Sequence, residues 1–381
     1  MQALVVGGGI MGLSTAWGLL RRGHDVTVVE QYALPNPLGS SVDQHRLIRH
    51  PYAGEEGYAR MIDPAFMAWD QLWADLGTCH YQQTGTLVTA RGELRWAEAS
   101  LACLHRMDMQ PVLLRPDQIE ERFPVLLGDG IELAFYLPSG GALCAERIIS
   151  DLARHLRRRG ARVLDNTPVQ SIDPDQAQVV LADGTHLTAD AVVVAAGPWT
   201  RHLAPPMAER VTPSRQAVVY LTPPAHLTQA WANSPMLLDI HEHGGIYVVP
   251  PVLETGLKVG DHSFSLTGDP DDERIPGAEE LERLRAACQG RFRDAQAYTV
   301  DLGKVCFYTV QPDEHFIVEP IERIWVMAGF SGHGFKFGAV MGRAMAATIH
   351  GDITPRQMTD FAAGRIRDPE QLQTLTNLCL G

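Results

Sequence analysis

Ala3-Leu4-Val5-Val6-Gly7-Gly8-Gly9-Ile10-Met11-Gly12 couples a short apolar run to a glycine-rich turn. The apolar run reads as a buried strand. An apolar-periodic segment follows, with Leu13, Ala16, Trp17 and Leu20 on one side, and predicts a helix ending near Gly23. Val26 to Val29 predict a second strand, closed by Glu30. Strand, glycine turn, helix, strand and terminal acid together make the dinucleotide-binding fingerprint. Gly7 permits the tight turn, and Gly9 lets a pyrophosphate approach the backbone. Gly12 and Ala16 let the helix sit close to the sheet. The helix N-terminus offers unpaired N–H groups and a positive dipole end to phosphates. Glu30 is placed to accept hydrogen bonds from ribose hydroxyls. The plain alternative is a glycine-rich turn in an ordinary α/β fold; the complete set of parts argues against it. This unit by itself does not decide between NAD and FAD.

The 381 residues amount to roughly two or three domains' worth of chain. Lys+Arg minus Asp+Glu is 32 − 45 = −13, which argues against a nucleic-acid partner, because phosphate binding needs a basic face. No apolar run approaches the roughly 18–20 residues that span a bilayer, so no membrane role is expected. The six cysteines include no C-x-x-C pair and read as reduced, mostly buried thiols. The N-terminus lacks a basic region ahead of an apolar one, so no signal peptide and a cytoplasmic location are expected.

Further along, Ala145 to Arg159 predicts a helix with a basic last turn, followed by a strand at Arg162-Val163-Leu164. Asp183-Gly184 sits between alternating runs in residues 169–187, a hairpin signal. Ala191 to Ala196 predicts a buried strand running into Gly197-Pro198-Trp199. The nucleotide-binding half is thus expected to be completed by residues far along the chain. Tyr81 to Ala90 and Gln216 to Thr222 predict strands of a second, β-rich region, and Glu279 to Cys288 predicts a charged amphipathic helix there. Ile324 to Ala328 predicts a strand that meets a glycine-rich loop, with a helix following through Ile349.

Several segments together resemble the monomeric sarcosine oxidase family, flavin amine oxidases within the D-amino-acid-oxidase-like group. They are Ser40-Ser41 with Arg46-Leu47-Ile48-Arg49-His50, Thr84-Gly85-Thr86-Leu87-Val88, Gly245-Ile246-Tyr247, and Gly256-Leu257-Lys258-Val259-Gly260 with His262. Val305-Cys306-Phe307-Tyr308-Thr309, Asp313-Glu314-His315-Phe316 and Gly329-Phe330-Ser331-Gly332-His333-Gly334-Phe335-Lys336-Phe337 complete the set. They occur in family order and cover nearly the whole chain.

The resemblance implies FAD and an α/β plus α+β fold: a Rossmann-like FAD-binding domain with a β-sheet-rich substrate domain. The expected division is 1–78, 141–210 and 303–381 for FAD, against 79–140 and 211–302 for substrate. It implies oxidation of secondary amino acids, sarcosine-like N-methyl or cyclic imino acids. Hydride passes from the C–H beside nitrogen to flavin N5, oxygen takes the electrons as hydrogen peroxide, and the imine hydrolyses. Beside the fingerprint's Gly7, Gly9, Gly12 and Glu30, the expected cofactor contacts are Ser41, Val169, Gly197, Cys306, Gly329, Gly332 and Gly334. Cys306 matches the cysteine that forms a thioether to the flavin. Arg49 and Lys336 match the pair that holds the substrate carboxylate, a planar guanidinium fork beside a point charge. Tyr247 and Tyr308 match aromatic residues on the amine side, where ring faces attract an ammonium group. Lys258, Arg46 and His262 are the expected catalytic residues, with Lys258 promoting the reaction with oxygen. The family also favours a monomer.

The chain departs from the family at Val42, where a histidine is usual, at Asp43-Gln44-His45, and at Leu238, where a pocket methionine is common. The carboxylate clamp survives these changes, but a substrate bulkier than sarcosine, or a cyclic one, fits them at least as well. Two other readings remain in view: a flavin dehydrogenase passing electrons to a quinone or protein, and a non-catalytic flavoprotein subunit. His241-Glu242-His243 resembles a metal motif but has no evident third ligand, and no metal is expected.

Overall fold

A computed structural model describes residues 1–242, 244–261 and 263–381. The opening strand, Gln2–Val6, lies inside a six-stranded sheet, parallel to Asp25–Val29 on one side and to Ala191–Val194 on the other. Arg162–Leu164 extends the sheet beyond Asp25–Val29; Ile324–Ala328 and then antiparallel Ile317–Ile321 extend it beyond Ala191–Val194. A strand paired on both edges and covered on both faces can be apolar throughout, which is why Ala3 to Val6 show no alternation.

The first helix, Ile10–Arg21, is buried from Ile10 to Leu19 rather than along one stripe. The reason is a second apolar helix, Gly338–His350, buried from Gly338 to Thr348. The two meet so closely that a Cβ on Gly342 would sit 2.2 Å from the carbonyl carbon of Ser14.

The second large sheet has eight strands, in the order Thr299–Val310, Thr212–Thr222, Leu257–Asp261, Ile246–Val249, Met236–His241, Thr86–Arg91, Leu133–Leu137 and Val112–Leu113. The strand expected at Tyr81 to Ala90 is two strands in different sheets. Tyr81–Gln83 joins a small sheet with Arg46–Ile48 and Gly141–Leu143, and the chain breaks at Gly85, whose φ is +77°. The boundary drawn at 303 falls inside Thr299–Val310, which pairs with Thr212–Thr222 along its length.

Strand parity sorts the eight-stranded sheet into two faces. Ala217, Val219 and Leu221, with Leu257, Val259, Val305 and Phe307, enter a core capped by Leu284 of the helix Ala278–Ala286. The intervening Gln216, Tyr220, Lys258, Cys306 and Tyr308 therefore face the other way. Register places them side by side: Tyr220 opposite Lys258, and Gln216 opposite Cys306.

Candidate active site

That second face borders two adjoining cavities. The first, about 150 Å³, runs from the turn Gly7–Gly9 past Glu30, Ser41, Val169 and Gly197 to Tyr308, Gly332 and Phe335. Gly7 has φ +112°, and a Cβ there would lie 2.3 Å from the Ala195 oxygen, so only glycine makes this turn. Its N–H donates to Val29 O at 2.8 Å, locking the turn to the neighbouring strand. Glu30 is buried, with Oε2 accepting from the Gly8 N–H at 2.7 Å and Oε1 from Asn36 Nδ2 at 3.0 Å. Burial raises its carboxyl pKa, and these hydrogen bonds partly oppose the rise. Ser41 Oγ accepts from the Ile10 N–H at 3.0 Å, pinning the loop to the start of the first helix.

The second cavity, about 590 Å³, shares Arg46, Tyr308, Ser331, Gly332 and Phe335 with the first, so the two meet there. Gly332, at φ +77°, makes the junction possible: a Cβ on it would collide with the Tyr308 ring at 2.4 Å.

Arg49 and Lys336 line this second cavity and are 7% and 3% exposed. The Arg49 guanidinium lies 4.6 Å from the Tyr52 ring centre and 5.6 Å from that of Trp96. It donates to the Pro51 carbonyl, while its Nε is buried without a partner. Lys336 Nζ donates to the Tyr52 oxygen at 2.9 Å and the His333 carbonyl at 3.0 Å. Neither forms an ion pair among the described residues. Burial pushes both pKa values down, Lys336 well below the usual lysine range, with Arg49 adding to that effect. Buried cations are normally paired, so an anion entering this cavity would meet two positive charges that lack a counterion among the described residues. Trp69 Nε1 holds the Lys336 carbonyl at 2.7 Å. Because Lys336 donates to Tyr52, the Tyr52 hydroxyl donates to His333 Nδ1 at 3.3 Å, and His333 Nε2–H donates to the Glu314 carbonyl at 3.0 Å. The chain of donors fixes a neutral His333, whose pKa burial holds well below the usual value.

A second cation pair stands nearer the junction. Lys258, 2% exposed, donates to Asp43 Oδ2 at 2.5 Å and to the His45 carbonyl at 3.3 Å. Arg46 donates to the same Oδ2, and Tyr220 donates its hydroxyl to Oδ1 at 2.5 Å. Burial lowers the Lys258 pKa to about 8, against the pull of Asp43. Asp43 itself stays well below the usual carboxylate range, because the attraction of Lys258 and Arg46 outweighs its burial.

The profile of the DAO family, described as FAD dependent oxidoreductase, matches residues 2–348. The chain belongs to this FAD-dependent oxidoreductase family. It is 29% identical over 390 residues to a monomeric sarcosine oxidase of Bacillus sp. (strain B-0618), covering 98% of both chains. It is 27% identical over 376 residues to an N-methyl-L-tryptophan oxidase of Yersinia pestis (strain Pestoides F), covering 96% of this chain and 99% of that one. Among solved structures it is similar in fold to the open form of NikD, described as an unusual amino acid oxidase, with a TM-score of 0.80 at 20% identity over 95% and 96% of the chains. The L-proline dehydrogenase from P. horikoshii matches with the same score and identity over 98% of both.

The first cavity fits the cofactor of a DAO-family enzyme: a side-chain-free turn at a helix N-terminus, a buried acid behind it, and a passage to the second cavity. Gly7, Gly9, Glu30, Ser41, Val169, Gly197, Gly332 and Gly334 all line it. Arg49, Lys258, Tyr247 and Lys336 line the second, and Arg46 and Tyr308 line both. Gly12, Gly329 and Cys306 line neither. Gly12 is a packing residue, since a Cβ there would meet the Gly7 oxygen at 1.9 Å. Gly329, at φ +64°, is the turn that ends the strand Ile324–Ala328. Cys306 is 8% exposed and shares its strand face with Tyr308, two residues on. Burial raises its thiol pKa, and Arg46 pulls it back. Leu238 is fully buried with Val88 and Phe135 and does not line the cavity; Ile240 does. His262 lies outside the described residues, as does His243 of the histidine-rich motif; no metal-binding group of three appears among the described residues.

Sequence reasoning missed Asp43, Tyr52, Trp96 and His333 as working parts. Tyr52 and Trp96 carry no signal beyond being aromatic. Asp43 stood out only as a departure from the family; its place beside Lys258, 215 residues along the chain, had no signal in the sequence.

Proposed function

We propose that this enzyme oxidises secondary amino acids, N-methyl or cyclic, at the C–H beside nitrogen. The observation that carries the reading is the Arg49–Lys336 pair: two buried cations, without an acid partner among the described residues, in a cavity that opens onto the cofactor space. A carboxylate is the anion that a guanidinium fork and an ammonium group hold together. Tyr247 and Tyr308 offer ring faces to the amine. Trp96 and Phe264 on the wall of the second cavity offer apolar surface to a side chain or ring larger than sarcosine's hydrogen. The names of the two curated relatives support an N-methylated amino acid.

FAD would supply the hydride acceptor and pass the electrons to oxygen, giving hydrogen peroxide. This chain's residues fix the carboxylate, shield the amine from water so that it loses its proton more readily, and hold Lys258 and Arg46 at the junction. In this reading Lys258 favours electron transfer to oxygen by stabilising the developing anion, and Cys306, which lines neither cavity itself but lies two residues from Tyr308 on the same strand face, is the thiol that would anchor the flavin ring covalently. The test is anaerobic mixing of the holoenzyme with a panel of N-methyl and cyclic amino acids, followed by air. Bleaching of the oxidised flavin band, then stoichiometric peroxide, is expected. Bleaching without peroxide moves the reading to a dehydrogenase; no bleaching by any member refutes it.

A further inference from the structure

We propose that Asp43 is a positioning residue, whose carboxylate holds the Lys258 ammonium and the Arg46 guanidinium together where the two cavities meet. The inference rests on the flavin-oxidase reading above and assigns a part of that site which the expected residue set lacked.

The geometry is complete on all sides. Asp43 is 2% exposed. Its Oδ2 takes Lys258 and Arg46, and its Oδ1 takes the Tyr220 hydroxyl and the Gln44 N–H. Its carbonyl accepts from the Glu146 N–H at 3.0 Å, so the backbone is held too. Lys258 and Tyr220 are cross-strand partners in the eight-stranded sheet. Asp43 lies in the loop that follows Ser41 and leads into Arg46–Ile48. One carboxylate therefore ties the substrate-side sheet to the cofactor-side loop.

Charge makes the tie necessary. Without Asp43, two cations would share a buried space with no counterion, and the lysine is the one able to lose its proton. With it, the cluster carries two positive charges and one negative. The other groups facing Lys258 do not replace it. His45 is held neutral by burial, its pKa lowered to about 4. Tyr220 and Tyr247 are pushed above the usual tyrosine value and stay neutral. The Cys306 thiol is raised by burial. Lys304, which acts on Asp43 from the strand Thr299–Val310, is a cation and cannot serve as counterion.

The experiment compares wild type, Asp43→Asn, Lys258→Met and the double variant as flavin-loaded proteins. The first readout is a pH titration of the oxidised flavin spectrum. Wild type should show a step near pH 8 that Lys258→Met lacks. Asp43→Asn should move that step down by about one unit or more, because a carboxylate neighbour is worth about 1–3 units. The second readout separates half-reactions: Asp43→Asn should slow flavin reoxidation about tenfold, and anaerobic reduction by less than about twofold. The double variant should be no slower than Lys258→Met, since the two act through one ammonium group. An unmoved step in Asp43→Asn, or effects that multiply in the double variant, would overturn the proposal. A wild type that no secondary amine bleaches sinks the function instead, while the titration still judges Asp43. Asp43→Ser takes the place of Asp43→Asn should the amide fail to load flavin.

Discussion

Replacing Arg49 by methionine tests the proposed carboxylate clamp. Methionine keeps an unbranched stem between Tyr52 and Trp96 and removes only the guanidinium. In the free protein Arg49 has no acid partner among the described residues and its Nε has no hydrogen-bond partner, so it keeps charge and a donor for a ligand. Charge-assisted hydrogen bonds contribute about 1.5–3 kcal/mol each, and truncating one side of a buried charge pair costs about 2–5 kcal/mol. Lys336 stays behind to hold part of the carboxylate, which places the loss near 3 kcal/mol, about 150-fold in kcat/KM. The loss should fall on amino acid substrates and spare amines of the same shape without a carboxylate. Two controls follow from the structure. The melting temperature should stay level or rise, because the change deletes an unpaired buried charge. The pH dependence should shift as well. Lys336 must be protonated to bind a carboxylate, so affinity falls as pH rises through its lowered pKa. Arg49 is one cause of that lowering, so in Arg49→Met the fall should move to higher pH. Steady-state kinetics on matched substrate pairs, across pH, read all of this. Equal losses for the acid and the acid-free amine would refute the clamp.

Other consequences are simpler to check. Cys306→Ala should release flavin into the supernatant on denaturation, whereas wild-type flavin should travel with the polypeptide; release from wild type would remove the covalent link. Asp239, 1% exposed, accepts from Thr89 at 2.7 Å and pairs with Arg91 and with Arg291 at 2.7 Å. Asp239→Asn leaves two partly buried arginines without a counterion, a loss of about 3–5 kcal/mol, and should lower the thermal midpoint by about 5 °C or more. A midpoint within about 1 °C of wild type would show that the arginines re-pair at little cost.

Local signals make part of this molecule readable from its sequence. The glycine turn, its helix and Glu30 form one contiguous unit, and strand Ile324–Ala328 matches its expected bounds because apolar runs flanked by turns need no distant information. The hairpin at Asp183-Gly184 is likewise a local device. Tyr81 to Ala90 was misread for the same reason: a β-rich stretch looks continuous until one learns that its halves join different sheets.

What the sequence determined alone is therefore chemistry at short range: a dinucleotide turn, apolar strands, and a set of cations and aromatics without assigned neighbours. Folding decided their company. Asp43 meets Tyr220 and Lys258 across separations of 177 and 215 residues, and Tyr52 meets Lys336 across 284. Burial then gives those encounters their meaning. An arginine in water needs no counterion, whereas Arg49 is closed in by two aromatic rings and has none among the described residues, which is what singles it out.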